Sequence, residues 1–131
     1  MMLIALLTTA LLFGGMSLFS FGFAAFLFTS LPAETASPLI RKAFPHFYLF
    51  VIITSAIAGF SVIPHDLTST FLLLAITLTT LFARQILMPM INAATDSRQT
   101  KRFKVLHTAS VVLTLIHIAI SAYVIVRVAN L

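Results

Sequence analysis

The sequence predicts an all-α fold: a four-transmembrane-helix antiparallel bundle with up-down-up-down topology. Three observations lead there. Only 8% of the 131 residues are charged and 60% are hydrophobic, whereas a soluble domain carries about 25% charged residues. So sparse a polar cover suits lipid, which accepts apolar side chains on every helix face. Four apolar runs stand out, Leu3 to Phe28, Phe47 to Ile63, Phe71 to Ile91 and Val105 to Val128. A crossing helix needs about 20 apolar residues at 1.5 Å rise each. The links between runs are short, which makes successive helices antiparallel neighbours.

The chain therefore reads as one integral membrane domain, 1–131, with helices expected near 3–28, 45–63, 69–92 and 103–128. The first run lacks the basic leader of a secretory signal and exceeds the usual apolar stretch of about 7 to 15 residues, so it is expected to be a retained helix. The second is short unless it starts near Pro45, a residue suited to a first helical turn. Thr68, Ser69 and Thr70 are candidate N-caps for the third. The fourth comes after a basic cluster, Lys101, Arg102 and Lys104.

Charge placement separates a membrane role from a nucleic-acid role. The net charge is +5, but the cations flank apolar runs, as orientation signals do. The expected partner is the lipid bilayer, not nucleic acid. The loops 29–44 and 92–104 hold six basic residues between them, Arg41, Lys42, Arg98, Lys101, Arg102 and Lys104, while the opposite side has only Arg127. The positive-inside rule then predicts both termini on the non-cytoplasmic side, and the expected location is a bacterial inner (plasma) membrane. With no cysteine, disulfides and thiolate metal sites are excluded.

Between helices in lipid, small and polar residues mark contacts. Thr8, Gly15, Gly22 and Thr29 repeat every seven residues along helix one, and Ser55 and Gly59 form a small-xxx-small pair on helix two. Gly15, Gly22, Ser55 and Gly59 are the expected packing residues. Thr77, Thr80, Arg84, Met88 and Asn92 share one face of helix three, and His107, Ser110, Thr114, His117 and Ser121 one face of helix four. Arg84 stands out, because a charge inside a span is costly and normally faces the interior, a partner or water. It is expected to point into the bundle near His107 and Asn92. No carboxylate lies in any span, so its partners would be carbonyls, Glu34 folding back from the first loop, or an anionic ligand. The candidate ligand-binding set is Arg84, Gln85, Asn92, His107, Ser110 and Glu34.

Several stretches now carry a resemblance. Leu27-Phe28-Thr29-Ser30-Leu31-Pro32 is followed by Ala43-Phe44-Pro45-His46-Phe47-Tyr48. Ala83-Arg84 is followed by Pro89, and then by Phe103, His107 and Ser110. In this order the chain resembles the transmembrane protein 205-like family, small four-helix membrane proteins without an assigned activity. It is more distantly similar to copper-resistance D-type proteins and to haem-pathway J-type membrane oxidases. Those relatives imply copper or haem inside the bundle, although helix one here has no histidine. The candidate metal ligands are His46, His107 and Met88.

Catalysis finds little support. The three carboxylates all lie in expected loops, and no nucleophile elbow or phosphate loop occurs. His65 and Asp66 are expected to form a solvated turn. A non-enzymatic membrane protein that binds a small polar or anionic ligand around Arg84 is the leading expectation, with a homodimer as candidate assembly. The alternatives are a small-molecule or ion transporter using the helix-four stripe out to His117, and a haem- or copper-binding redox protein.

Overall fold

The computed structural model describes all 131 residues. It is all-helical, with four helices long and apolar enough to cross a membrane: α1, Met2–Ser30; α2, Ala33–Val62; α3, Leu67–Asp96; and α4, Thr100–Ala129. α1 packs on α2 and α4, α2 on α3, and α3 on α4, so the four helices close a ring with α2 and α4 at diagonal corners. Burial is distributed as lipid demands. Leu3, Leu7, Leu18, Phe21, Phe26, Phe60, Phe71 and Leu78 are all more than half exposed, while the interior combines apolar side chains such as Leu12, Met16, Leu73 and Ile76 with His117 and several Ser and Thr. In water so apolar an outer face would aggregate; in a bilayer it is solvated by acyl chains.

The first link is far shorter than the sequence suggests. α2 starts at Ala33, not near Pro45, so the expected loop 29–44 is helical except at Leu31 and Pro32. Leu31 is extended (φ −128°, ψ 151°), as the residue before a proline prefers. Pro38 and Pro45 then stay inside α2. A proline removes one main-chain hydrogen bond and bends a helix without having to end it. The polar extension is held by the neighbouring helix, because Arg41 makes a bidentate ion pair with Asp96 at the end of α3 (2.8 and 3.0 Å).

The other two links are tight caps. α3 starts two residues early, and its N-cap is Asp66 rather than Thr68, Ser69 or Thr70. The Asp66 carboxylate accepts from the Ser69 amide at 3.3 Å and from its hydroxyl at 2.6 Å. The same carboxylate receives Arg127 from the end of α4, at 2.6 and 3.3 Å. This turn is therefore a structural clamp where a solvated turn was expected. At the far end of α3, Gln99 N–H reaches Ala94 O and Arg98 N–H reaches Thr95 O, with Arg98 left-handed at φ 55°. That is a Schellman termination with arginine in the position glycine usually fills.

α1 and α3 each contain a π-helical turn, Leu18–Phe23 and Ala83–Leu87. A π turn inserts about one extra residue and rotates the remainder of the helix by on the order of 100°. In α1 this splits the glycine stripe. Gly15 faces α2, where an added Cβ would lie 2.5 Å from Phe50 Cε1, whereas one at Gly22 would meet only Leu18 of its own helix, at 3.2 Å. Gly22 is thus not a helix–helix contact here. The π turn instead presents Phe19 to α2, stacked on Phe47 with centroids 4.1 Å apart. On the α2–α3 seam Ser55 Oγ lies 2.7 Å from Thr77 Oγ1, and a Cβ on Gly59 would come within 2.9 Å of Leu74 Cδ2.

Thermal unfolding in detergent should separate the two glycines. Gly22→Ala should be neutral or stabilising by up to about 1 kcal/mol, the helix-propensity gain. Gly15→Leu should cost about 1 to 3 kcal/mol through overpacking against Phe50; equal tolerance at both positions would contradict the contact. The Asp66 carboxyl is held down to about 2, first by the Arg127 guanidinium and then by Ser69. A depressed folded-state value means that this stabilisation is present above the ordinary carboxylate range, about 3.9, and is lost as pH falls toward 2. Asp66→Asn should flatten the fall in melting temperature between pH 5 and pH 2.5 relative to wild type.

Candidate functional site

At the end of the bundle that carries the basic residues, α2, α3 and α4 enclose a small cavity of about 40 Å³. α2 supplies Arg41, Phe44 and Tyr48, one turn apart along one face; α3 supplies Met88, Ile91 and Asn92; α4 supplies His107 and Ser110. Such spacing at three and four residues is what brings successive side chains of a helix to one side. The volume suits one water-sized group, since a water's share of the liquid is about 30 Å³.

The polar groups around it differ in how far they are committed. Arg41 is bound through its guanidinium to Asp96 but keeps a face on the cavity. Ser110 is buried and donates to His107 O at 2.7 Å, which leaves its oxygen lone pairs free to accept. His107 is exposed and stacks on Phe103 at 5.4 Å. Asn92 is half-buried and Tyr48 is buried. One cation, Arg41, and the side-chain donors of Asn92 and Tyr48, gathered without a free carboxylate, favour a small anion or a polar group rather than a cation.

The expected ligand set divides on the structure. Asn92, His107 and Ser110 come together here, joined by Met88, a candidate metal ligand from the sequence. Arg84 does not line the cavity. Its Nε donates to Pro45 O of α2 at 3.1 Å and its Nη1 to Gln85 Oε1 at 3.0 Å. The guanidinium thus points to α2 and not to His107 and Asn92. Eight residues, about 12 Å of helix axis, separate Arg84 from Asn92, while a main-chain carbonyl and the next side chain lie beside it. Gln85 is exposed and serves as that partner. Glu34 is exposed in the first turn of α2 and makes no ion pair with Arg84.

No three His, Asp or Glu side chains gather anywhere. His46 and His107 are both exposed and sit on the diagonal helices α2 and α4. The α4 stripe is mostly self-satisfied: Ser110, Thr114 and Ser121 bond carbonyls of their own helix. His117 alone crosses, with Nε2 2.7 Å from Thr79 Oγ1 of α3.

Sequence reasoning missed Arg41 and Tyr48 at the cavity, and both Arg–Asp pairs. A signal for the pairs was available. Asp66 shares its side of the membrane with one arginine, Arg127, and Asp96 ends a span beside the helix that carries Arg41.

These features define a multi-pass membrane protein: a lipid-facing four-helix bundle with a small cavity of mixed polar and apolar lining at its basic end. The family model described as "Domain of unknown function (DUF4149)" matches residues 7–100, which takes in nearly all of α1 and the whole of α2 and α3. The chain belongs to that family. No curated protein and no solved structure matches it.

Proposed function

We propose that this chain is a non-enzymatic membrane protein that binds a small anion, or the anionic end of a small molecule, in the cavity between α2, α3 and α4. The observation that carries this is convergence: Arg41, Tyr48, Asn92, His107 and Ser110 reach one space from three helices. Arg41 is the cation of the site, and Arg84 is a structural cation deeper in the span. The motif order from Leu27 to Ser110 supports kinship with the transmembrane protein 205-like proteins, and more distantly with the copper-resistance D-type proteins. His46, His65 and His107 are exposed and apart and His117 is bound to Thr79, which favours anion binding over a redox role. A transport role draws on the α4 stripe, but its hydroxyls bond their own backbone, which is how packing hydroxyls behave.

The test is a thermal shift of the purified protein in neutral detergent at constant ionic strength, with formate or chloride replacing sulfate. Binding to the folded state alone raises stability by RT ln(1 + [L]/Kd), about 2.7 kcal/mol at one hundred times Kd. Wild type and Arg84→Met should shift with the small anion, and Asn92→Leu with Ser110→Val should not. A shift that survives in the double variant, or equal shifts with sulfate, would remove the proposal.

We also propose that the basic end faces the cytoplasm of a bacterial inner membrane, with both termini outside. Arg41, Lys42, Arg98, Lys101, Arg102 and Lys104 at one end, against Arg127 at the other, support this orientation. A cysteine at Ser97 should react with a membrane-impermeant maleimide only after the membrane is permeabilised; labelling in intact cells would reverse the orientation.

A further inference from the structure

A second feature lies outside the cavity. Where α3 turns into α4, an open groove of about 680 Å³ runs along the first turns of α4. Gln99, Thr100, Lys101 and Arg102 form its polar part, and Met90, Val105 and Leu106 form its apolar part. We propose that this groove binds an anionic phospholipid, with the phosphate against Lys101 and Arg102 and an acyl chain along Met90, Val105 and Leu106.

The charge of the groove is uncompensated. Lys101 and Arg102 are exposed and take part in neither of the two ion pairs, Arg41–Asp96 and Arg127–Asp66. The nearest carboxylate in sequence, Asp96, is engaged by both oxygens with Arg41. It is therefore not free to neutralise the cluster. Arg98 and Lys104, both exposed, lie next to these residues in sequence and add to the positive charge of this end of the bundle.

The apolar part decides the kind of anion. α4 is a membrane span, so its first turns cross from headgroups toward acyl chains. Within seven residues the groove passes from Gln99 to Val105, which is 64% exposed, and to Leu106. A soluble phosphate would use only the cationic part and leave the apolar wall idle; a phospholipid has both halves in the same order. Basic pockets between spans are where anionic headgroups bind. The Thr100, Lys101 and Arg102 amides open α4 without a side-chain cap, and they add donors to what the cations and the apolar wall already offer. This inference does not depend on the anion cavity, which is lined by other residues.

The experiment is native mass spectrometry of the delipidated protein in neutral detergent, with phosphatidylglycerol and phosphatidylcholine of identical chains added at equal concentration. Wild type should retain phosphatidylglycerol preferentially. Each cation near a membrane surface strengthens such binding by about 5-fold, so Lys101→Gln with Arg102→Gln should lower affinity about 25-fold. Both side chains are exposed, and an unchanged helical circular dichroism spectrum would show that the variant is folded. Lys42→Gln, exposed and outside the groove, should keep the preference. Equal retention of the two lipids by wild type would overturn the proposal, as would undiminished phosphatidylglycerol binding by the double variant. Glycerol phosphate displacing the lipid at equal concentration would overturn the lipid assignment as well, because the acyl wall would then contribute nothing.

Discussion

Close approach between helices is the constraint on which the rest of this bundle depends. Acyl chains solvate leucine as well as another helix does, so apolar burial offers little reason for helices to associate. What remains is packing at short range and hydrogen bonds that lipid cannot supply. The seams reflect this. Gly15 admits the ring of Phe50, the Ser55 and Thr77 hydroxyls meet across the α2–α3 seam, and Gly59 makes room for Leu74. His117 and Thr79 do the same between α3 and α4. Large apolar residues such as Leu12, Met16, Leu73 and Ile76 fill the interior between these contacts, and others cover the lipid face.

The ends of the bundle use a different device. Each of the two Asp–Arg pairs joins a terminus of α3 to a neighbouring helix through residues 55 or 61 positions apart, and each is bidentate. A planar guanidinium held by both carboxylate oxygens fixes orientation as well as distance. Asp66 does this while capping α3, so one carboxylate sets where α3 starts and where α4 finishes. At the basic end, Arg41 belongs both to the Asp96 pair and to the wall of the cavity. One guanidinium thus ties the wall of the cavity to the join between α2 and α3.

Arg84 shows how a charge is kept inside a span. Insertion scales put such a residue at about 2.5 to 3.5 kcal/mol at mid-membrane. With no intramembrane carboxylate, the guanidinium takes the Pro45 carbonyl and the Gln85 carboxamide. It also lies within the π turn Ala83–Leu87, a feature that recurs at functional sites and that here widens the helix beside the charge. Phe19 sits in the other π turn and fills the α1–α2 seam from there.

The sequence by itself determined the number of spans, their antiparallel order and the sign of each end, because these depend on hydropathy summed over about 20 residues and on charges at the ends of runs. It also brought Asn92, His107 and Ser110 to one place, since helical spacing and a shared end of the bundle sufficed. Only the tertiary structure decided which cation joins them. The choice between Arg41 and Arg84 depends on depth along two antiparallel helices and on α2 continuing through Pro38 and Pro45. A proline in a sequence does not say whether a helix stops or bends, because that depends on what holds the chain beyond it, here Asp96. The fate of Gly22 was hidden for a related reason. A seven-residue repeat implies one stripe only while the helix keeps 3.6 residues per turn, and the π turn at Leu18–Phe23 breaks that rule in favour of a Phe19–Phe47 stack.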